Sequence, residues 1–260
     1  MSKPYIIPLD LGDRITEKSW HYLRRFVGEK ELSKNVAAYI GDVKKKIVVD
    51  AGIPDPERCL KYHPYAKLEP RKPEQEMEAQ LAKAGVRPEE IDIVILTHLH
   101  WDHVGDVNKF PNAQFIVSDE ELSFALNPLP PQYVDYEALQ LGIEPLFMKV
   151  IERMKTVDMK EKEIVEGVRL IPLPGHTPGL MGVVVDTEKG PYVIAGDTAP
   201  KYGNLDGDPR ERSPYLMSGI YTDMKAMWNS FKLIDEIVKG DYSRVIPGHD
   251  PRVFRKERYP

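Results

Sequence analysis

In the run Thr97-His98-Leu99-His100-Trp101-Asp102-His103-Val104-Gly105-Asp106, three imidazoles and a carboxylate fall within six residues. Imidazole nitrogen and carboxylate oxygen together suit zinc, and they serve iron, manganese and cobalt as well. Side chains alternate along an extended backbone, so His98 and His100 point to one side and can reach one ion. A sharp turn after them would bring Asp102 and His103 toward a second. A helix-borne zinc motif puts its histidines four positions apart, so this cluster belongs to the end of a strand.

More donors stand in the same local setting. His176 follows Leu170-Ile171-Pro172-Leu173-Pro174-Gly175, Asp197 follows Tyr192-Val193-Ile194-Ala195-Gly196, and His249 follows Val245-Ile246-Pro247-Gly248. Each time an apolar run stops, a turn residue or two intervenes, and a ligand-type side chain appears. The glycine before each donor permits close backbone approach. Strands ending at one edge would gather these groups into a single cleft. A lone His or Asp after a strand is more often a cap or a surface residue. Here, however, five of the seven histidines share the pattern, and only His21 and His63 lie outside it.

The elements that must position these residues are short. Runs rich in β-branched residues predict strands at Val36–Ile40, Ile47–Val49, Ile91–Leu96, Gln114–Val117, Val168–Leu173, Met181–Val185, Tyr192–Ala195 and Arg244–Ile246. Helical spacing predicts Pro73–Ala84, opened by proline and followed by Gly85, and Met224–Lys239, which stops at Gly240. Strands and helices mix throughout with no linker, so the class is α/β (α+β), one domain over 1–260. Two long irregular stretches, Glu120–Glu163 and Thr198–Tyr221, read as cap or binding loops, the first as a cap-like insertion around 120–163.

With 42% hydrophobic and 9% aromatic residues the chain can bury a sizeable core, so it is not a disordered one. A formal charge of −5 argues against a nucleic-acid surface, and basic pieces such as Lys44-Lys45-Lys46 read as solvated turns. A single cysteine, Cys59, excludes an internal disulfide. No apolar stretch has the length of a membrane span and the N-terminus has no leader-like core, so the expectation is a cytoplasmic protein with no membrane partner.

The pattern His98-Leu99-His100-Trp101-Asp102-His103, followed in order by His176, Asp197 and His249, resembles the metallo-β-lactamase superfamily from Val36 to His249. The resemblance implies a four-layer αββα sandwich with two divalent metals, zinc first and iron, manganese or cobalt as alternatives. It implies that His98, His100 and His176 bind one ion, that Asp102, His103 and His249 bind the other, and that Asp197 bridges them. It also points to Asp50, after Lys46-Ile47-Val48-Val49, as the carboxylate that orients a ligand imidazole; a plain strand-end turn is the other reading of that residue. A metal pair about 3.5–4 Å apart supplies hydroxide near neutral pH without a Ser or Cys nucleophile. Asp102 is then a candidate both for ligand and for acid toward the leaving alkoxide.

Within the superfamily, exported β-lactamases generally use a Cys or lack the second His of the motif. Glyoxalase II enzymes add a C-terminal helical region, nuclease relatives need basic surfaces, and flavo-diiron relatives usually have Glu in place of the second His. The chain keeps His100 and ends eleven residues after His249. Leu173-Pro174-Gly175-His176-Thr177-Pro178-Gly179, Ala195-Gly196-Asp197 and Ile246-Pro247-Gly248-His249-Asp250-Pro251 resemble the N-acyl homoserine lactonase branch. Lactone or ester hydrolysis is the expected reaction. Thioester hydrolysis and mononuclear-iron thiol or persulfide dioxygenation are the alternatives.

One departure stands out. The branch carries a substrate-contacting tyrosine three residues after the bridging Asp, where this chain has Pro200. Tyr202 is the candidate replacement, with packing of its ring on the cap as the other reading. Trp20, His21, Tyr22, Leu23 and Phe26 suit core or homodimer packing, with an apolar channel for an acyl chain as the alternative.

Overall fold

Side-chain alternation along one strand shows how the layers are built. In β2 (Lys30–Gly41), Val36, Ala38 and Ile40 face a cluster shared with Leu170, Val183, Ile194 and Ile246. Ala37 and Tyr39 of the same strand face another cluster, with Met77 and Leu81. A strand whose two faces are both apolar must be covered on both sides. The computed structural model, which describes residues 3–260, provides that cover with two sheets packed face to face and helices outside each.

The first sheet has the order β1 (Tyr5–Glu17), β2, β3 (Ile47–Val49), β4 (Ile93–Ile95), β5 (Gln114–Ser118) and β6 (Met154–Val157). It is antiparallel up to β3 and parallel from β3 to β6. The second has the order β11 (Val245–Pro247), β10 (Gly190–Gly196), β9 (Met181–Thr187), β8 (Val168–Pro172) and β7 (Lys162–Val165). Its neighbours are antiparallel except for the parallel β10–β11 pair. The helices are α1 (Pro56–Tyr62), α2 (Met77–Ala82), α3 (Asp119–Leu126) and α4 (Met224–Val238). Helix α4 starts where the Asp223 side chain accepts the Ala226 N–H, and it buries Met227, Phe231, Ile234 and Val238. Each such side chain contributes roughly 1.5–3 kcal/mol.

Three sequence expectations are corrected. The helix predicted over Pro73–Ala84 breaks at Glu76, which is extended, between a 3-10 turn at Pro73–Gln75 and α2. The Gln75 amide explains the break, because it donates to Asp10 at 3.1 Å and Asp13 at 3.2 Å on β1 and so ties the turn to the sheet. Strand β1 was not anticipated. Pro8 and Gly12 interrupt its apolar pattern, and its register shifts between Asp10 and Asp13 around Gly12 at φ 135. Strands β6 and β7 also went unread, and they return residues 154–157 and 162–165 to the sheets. No helix among the described residues is long and apolar enough to cross a membrane.

Candidate metal centre

β4, β8, β10 and β11 end at one edge of the sandwich, and the donors predicted from the sequence follow them there. The ligand atoms of His98, His100 and His176 lie within 4.8 Å of one another, as do those of His98, His103 and Asp197, and those of Asp102, His103 and His249. Asp197 lies between the groups. Its carboxylate is 3.6 Å from His176 Nε2, 3.3 Å from His103 Nε2 and 2.9 Å from His249 Nε2. His176 Nε2 and His100 Nδ1 are 3.1 Å apart. Close packing requires the glycines here: a Cβ on Gly248 would sit 2.6 Å from Asp197 Oδ1, and one on Gly175 would sit 2.4 Å from the Met227 backbone.

The outer nitrogens of four of these rings, those of His98, His103, His176 and His249, are tied down. His103 Nδ1 donates to Asp50 at 2.9 Å, and Asp50 also accepts the Thr97 N–H at 2.8 Å and the Thr97 hydroxyl. With its hydrogen given to Asp50, the Thr97 oxygen can accept from His98 Nδ1 at 3.1 Å. His176 Nδ1 donates to the Ile220 carbonyl at 3.1 Å, and His249 Nδ1 donates to that of Lys34 at 2.8 Å. Each contact sets a tautomer and turns Nε2 inward. Buried and without a hydrogen-bond partner among the described residues are His98 Nε2, His103 Nε2 and Asp197 Oδ1, and also the Nε2 of His100, whose ring meets His176 through Nδ1. Orphaned buried polar atoms are costly, and donors of these types aimed at common points fit a pair of divalent cations.

Glu121 was not anticipated. It is fully buried, and its carboxylate accepts the Leu99 N–H at 3.0 Å, the Tyr136 hydroxyl at 2.8 Å and the Thr177 hydroxyl at 2.6 Å. It therefore joins the loop of His98 and His100, the loop of His176, and the 119–153 segment, whose Tyr136 ring stands edge-on to His100 at 4.6 Å. Ser118 three residues before Glu121 is the available sequence signal, but it reads as a helix start with a solvent-facing acid.

Arg14 was missed as well. One guanidinium nitrogen pairs with Asp102 Oδ2 at 2.8 Å, and another donates toward His249 Nε2 at 3.0 Å. Burial raises the Asp102 pKa, yet Arg14, His103 and His249 together hold it well below the usual carboxylate range. Burial and the neighbouring imidazoles keep His98 and His100 far below the ordinary histidine value. His103 goes the other way: burial opposes its charge, but Asp50, Asp197 and Asp102 raise it.

Trp20, Tyr65, Trp101, Asp135, Pro200 and Ile220 line the cleft above the cluster. Of the N-terminal aromatic set, Trp20 and His21 reach it, whereas Tyr22 packs edge-on to Phe26 at 5.4 Å and Leu23 packs on the core beneath α4. Tyr202 is not brought to the cleft, which corrects the expectation of a substrate donor there. A 3-10 turn begins at Tyr202, its N–H donates to Asp250 at 2.9 Å, and its ring lies 4.9 Å under the Arg252 guanidinium against the inter-sheet core. His63 is also outside the cluster, stacked on Trp101 at 4.0 Å and bonded to Glu137 at 3.0 Å. Cys59 is buried, with its thiol pKa pushed up to about 12 by burial, so it is no nucleophile.

The sequence model of the metallo-beta-lactamase superfamily matches residues 32–249. An N-acyl homoserine lactonase of a Bacillus species is 30% identical over 172 residues, which cover 65% of this chain and 60% of that protein. The match thus spans less than two thirds of that relative's length. Among solved structures, an N-acyl homoserine lactone hydrolase with the product N-hexanoyl-L-homoserine at its catalytic metal centre superposes with a TM-score of 0.74 at 21% identity, over 98% of this chain and 96% of that one. The dizinc quorum-quenching lactonase AidC superposes with a TM-score of 0.72 at 19% identity, over 96% and 89%. At these identities the likeness is one of fold.

Proposed function

This chain belongs to the metallo-β-lactamase superfamily, and on that premise we propose that it is a dinuclear metal hydrolase that opens lactones or carboxylic esters, with N-acyl homoserine lactones as the first substrates to test. The observation that carries this reading is the convergence of seven donors, from residues 98 to 249, on two adjoining clusters with unpartnered inward atoms. The lactonase relative supports the substrate class, and the fold neighbours support the scaffold.

His98, His100 and His176 would hold one ion and Asp102, His103 and His249 the other, with Asp197 shared; zinc is the first choice for this donor set. Bound there, the ions would supply an activated water near neutral pH and polarise the substrate carbonyl. The chain's own groups do the rest. Asp102, kept ionised by Arg14, accepts the proton released by the attacking water and returns it to the departing alkoxide. Trp20, Trp101 and Ile220 give the cleft an apolar wall against which the substrate displaces water.

The test is metal analysis of the purified protein together with a lactone and ester panel. Expected are two divalent ions per chain and lactone opening that chelation removes and zinc restores. One iron per chain with no ester or lactone turnover would overturn the reading.

A further inference from the structure

The cleft wall carries a polar group that the reaction above does not use. His21 lines the cleft, with its side chain only 6% exposed. Its Nδ1 is 2.7 Å from a Glu31 carboxylate oxygen on β2, and its backbone carbonyl accepts the Asn204 amide at 2.7 Å. Behind Glu31 stands the buried Lys201, whose Nζ is 3.7 Å from the same carboxylate and donates to the Leu32 carbonyl at 3.0 Å. The imidazole is thus fixed through both its ring and its backbone.

This arrangement sets the chemistry of the free nitrogen. A carboxylate beside an ammonium only accepts, so Nδ1 carries the hydrogen and Nε2 keeps its lone pair. The Lys201 ammonium already balances the charge of the Glu31 carboxylate, so the ring need not carry a second positive charge. Nε2 makes no hydrogen bond among the described residues. The ring lies 6.0 Å from the His249 ring and inclined 31° to it, which places it beside the cluster. An acceptor open to the cleft at such a place is available to a donor that arrives with the ligand.

We propose that His21 is a specificity-determining residue whose Nε2 accepts a hydrogen bond from an N–H or O–H of the substrate next to the reacting carbonyl. Lactones with an acylamino or hydroxyl substituent on the carbon beside the carbonyl are then preferred over plain ones. The inference rests on the lactone reading and narrows it.

The test compares an N-acyl homoserine lactone with an alkyl γ-lactone of matched length that has no N–H, using zinc-loaded wild type, His21→Leu, His21→Gln and Glu31→Gln, with zinc content measured for each. Leucine removes the acceptor and is expected to lower the ratio of kcat/KM between the two substrates about tenfold, mainly through KM of the amide. Glutamine at 21, which keeps an acceptor oxygen, should recover part of the ratio, and Glu31→Gln, which frees the tautomer, should fall between. An unchanged ratio in all three variants, whether both substrates lose equally or neither does, overturns the assignment of His21 alone. Failure of the zinc-loaded wild type to open either lactone overturns the lactone reading and this inference with it.

Discussion

The two halves of the metal centre are built on different principles. The side of His98, His100 and His176 is oriented by neutral or acceptor groups, namely Thr97, the Ile220 carbonyl and the loop contacts of Glu121, and burial holds His98 and His100 far below the ordinary histidine value. The side of Asp102, His103 and His249 is wired into charge, with Asp50 on His103 and Arg14 on both Asp102 and His249. A cation can enter the first side without displacing another. On the second it must share Asp102 with a guanidinium already in place. The expected consequence is filling in order, the histidine side first.

The largest effect should come from removing one ligand on each side. His100→Ala is expected to abolish turnover and leave less than one ion per chain, whereas Asp102→Asn should abolish turnover but retain one. Metal content by atomic emission reads the difference, and equal losses would break the distinction. Next, Glu121→Gln should weaken binding on the histidine side by about 10- to 100-fold, the usual cost of disturbing the shell behind metal ligands. Titration with cobalt, followed by its visible spectrum, would show whether only the first equivalent is affected. Arg14→Met sharpens the comparison from the other side. Deleting a unit charge a few ångströms from the second ion relieves on the order of 1–4 kcal/mol of repulsion, so its affinity should rise about tenfold. A weaker second affinity would mean that orienting Asp102 is the larger part of what Arg14 does.

The smallest effect concerns Lys201 behind the charged side. Burial lowers its pKa from 10.5 to about 8. Between those values the unfolded chain binds the proton that the folded chain has released, so this residue makes stability rise with pH, by no more than about 1.4 kcal/mol per pH unit. Urea unfolding of the metal-free protein at pH 7.5, 9 and 10 should show that contribution, and Lys201→Met should flatten it.

The donors were legible in the sequence because their placement is local. An apolar run, a glycine and then a His or Asp describes the end of a strand, and the alternation of His98 and His100 follows from the backbone itself. Helix α4 was legible for the same reason, since its apolar spacing and the stop at Gly240 lie within one segment. Asp50 was visible at a strand end, but only its contact with His103 distinguishes it from a turn residue. The helix predicted over 73–84 failed where a side chain reached another element, Gln75 on β1.

By itself, the sequence determined the kinds of donors, their order and their position at strand ends, and the two-sheet architecture followed from the family those donors resemble. Only the tertiary structure decided what surrounds them. The bulge in β1 brings Arg14 onto a histidine 235 residues away, the turn after Lys201 carries Tyr202 away from the cleft, and the packing of β2 against the N-terminal turn puts Glu31 on His21. The physical reason is range. A strand end is set by a few consecutive residues, whereas the partner of a buried charge is chosen by which strands pair and how their sheets pack, and that is a property of the whole chain.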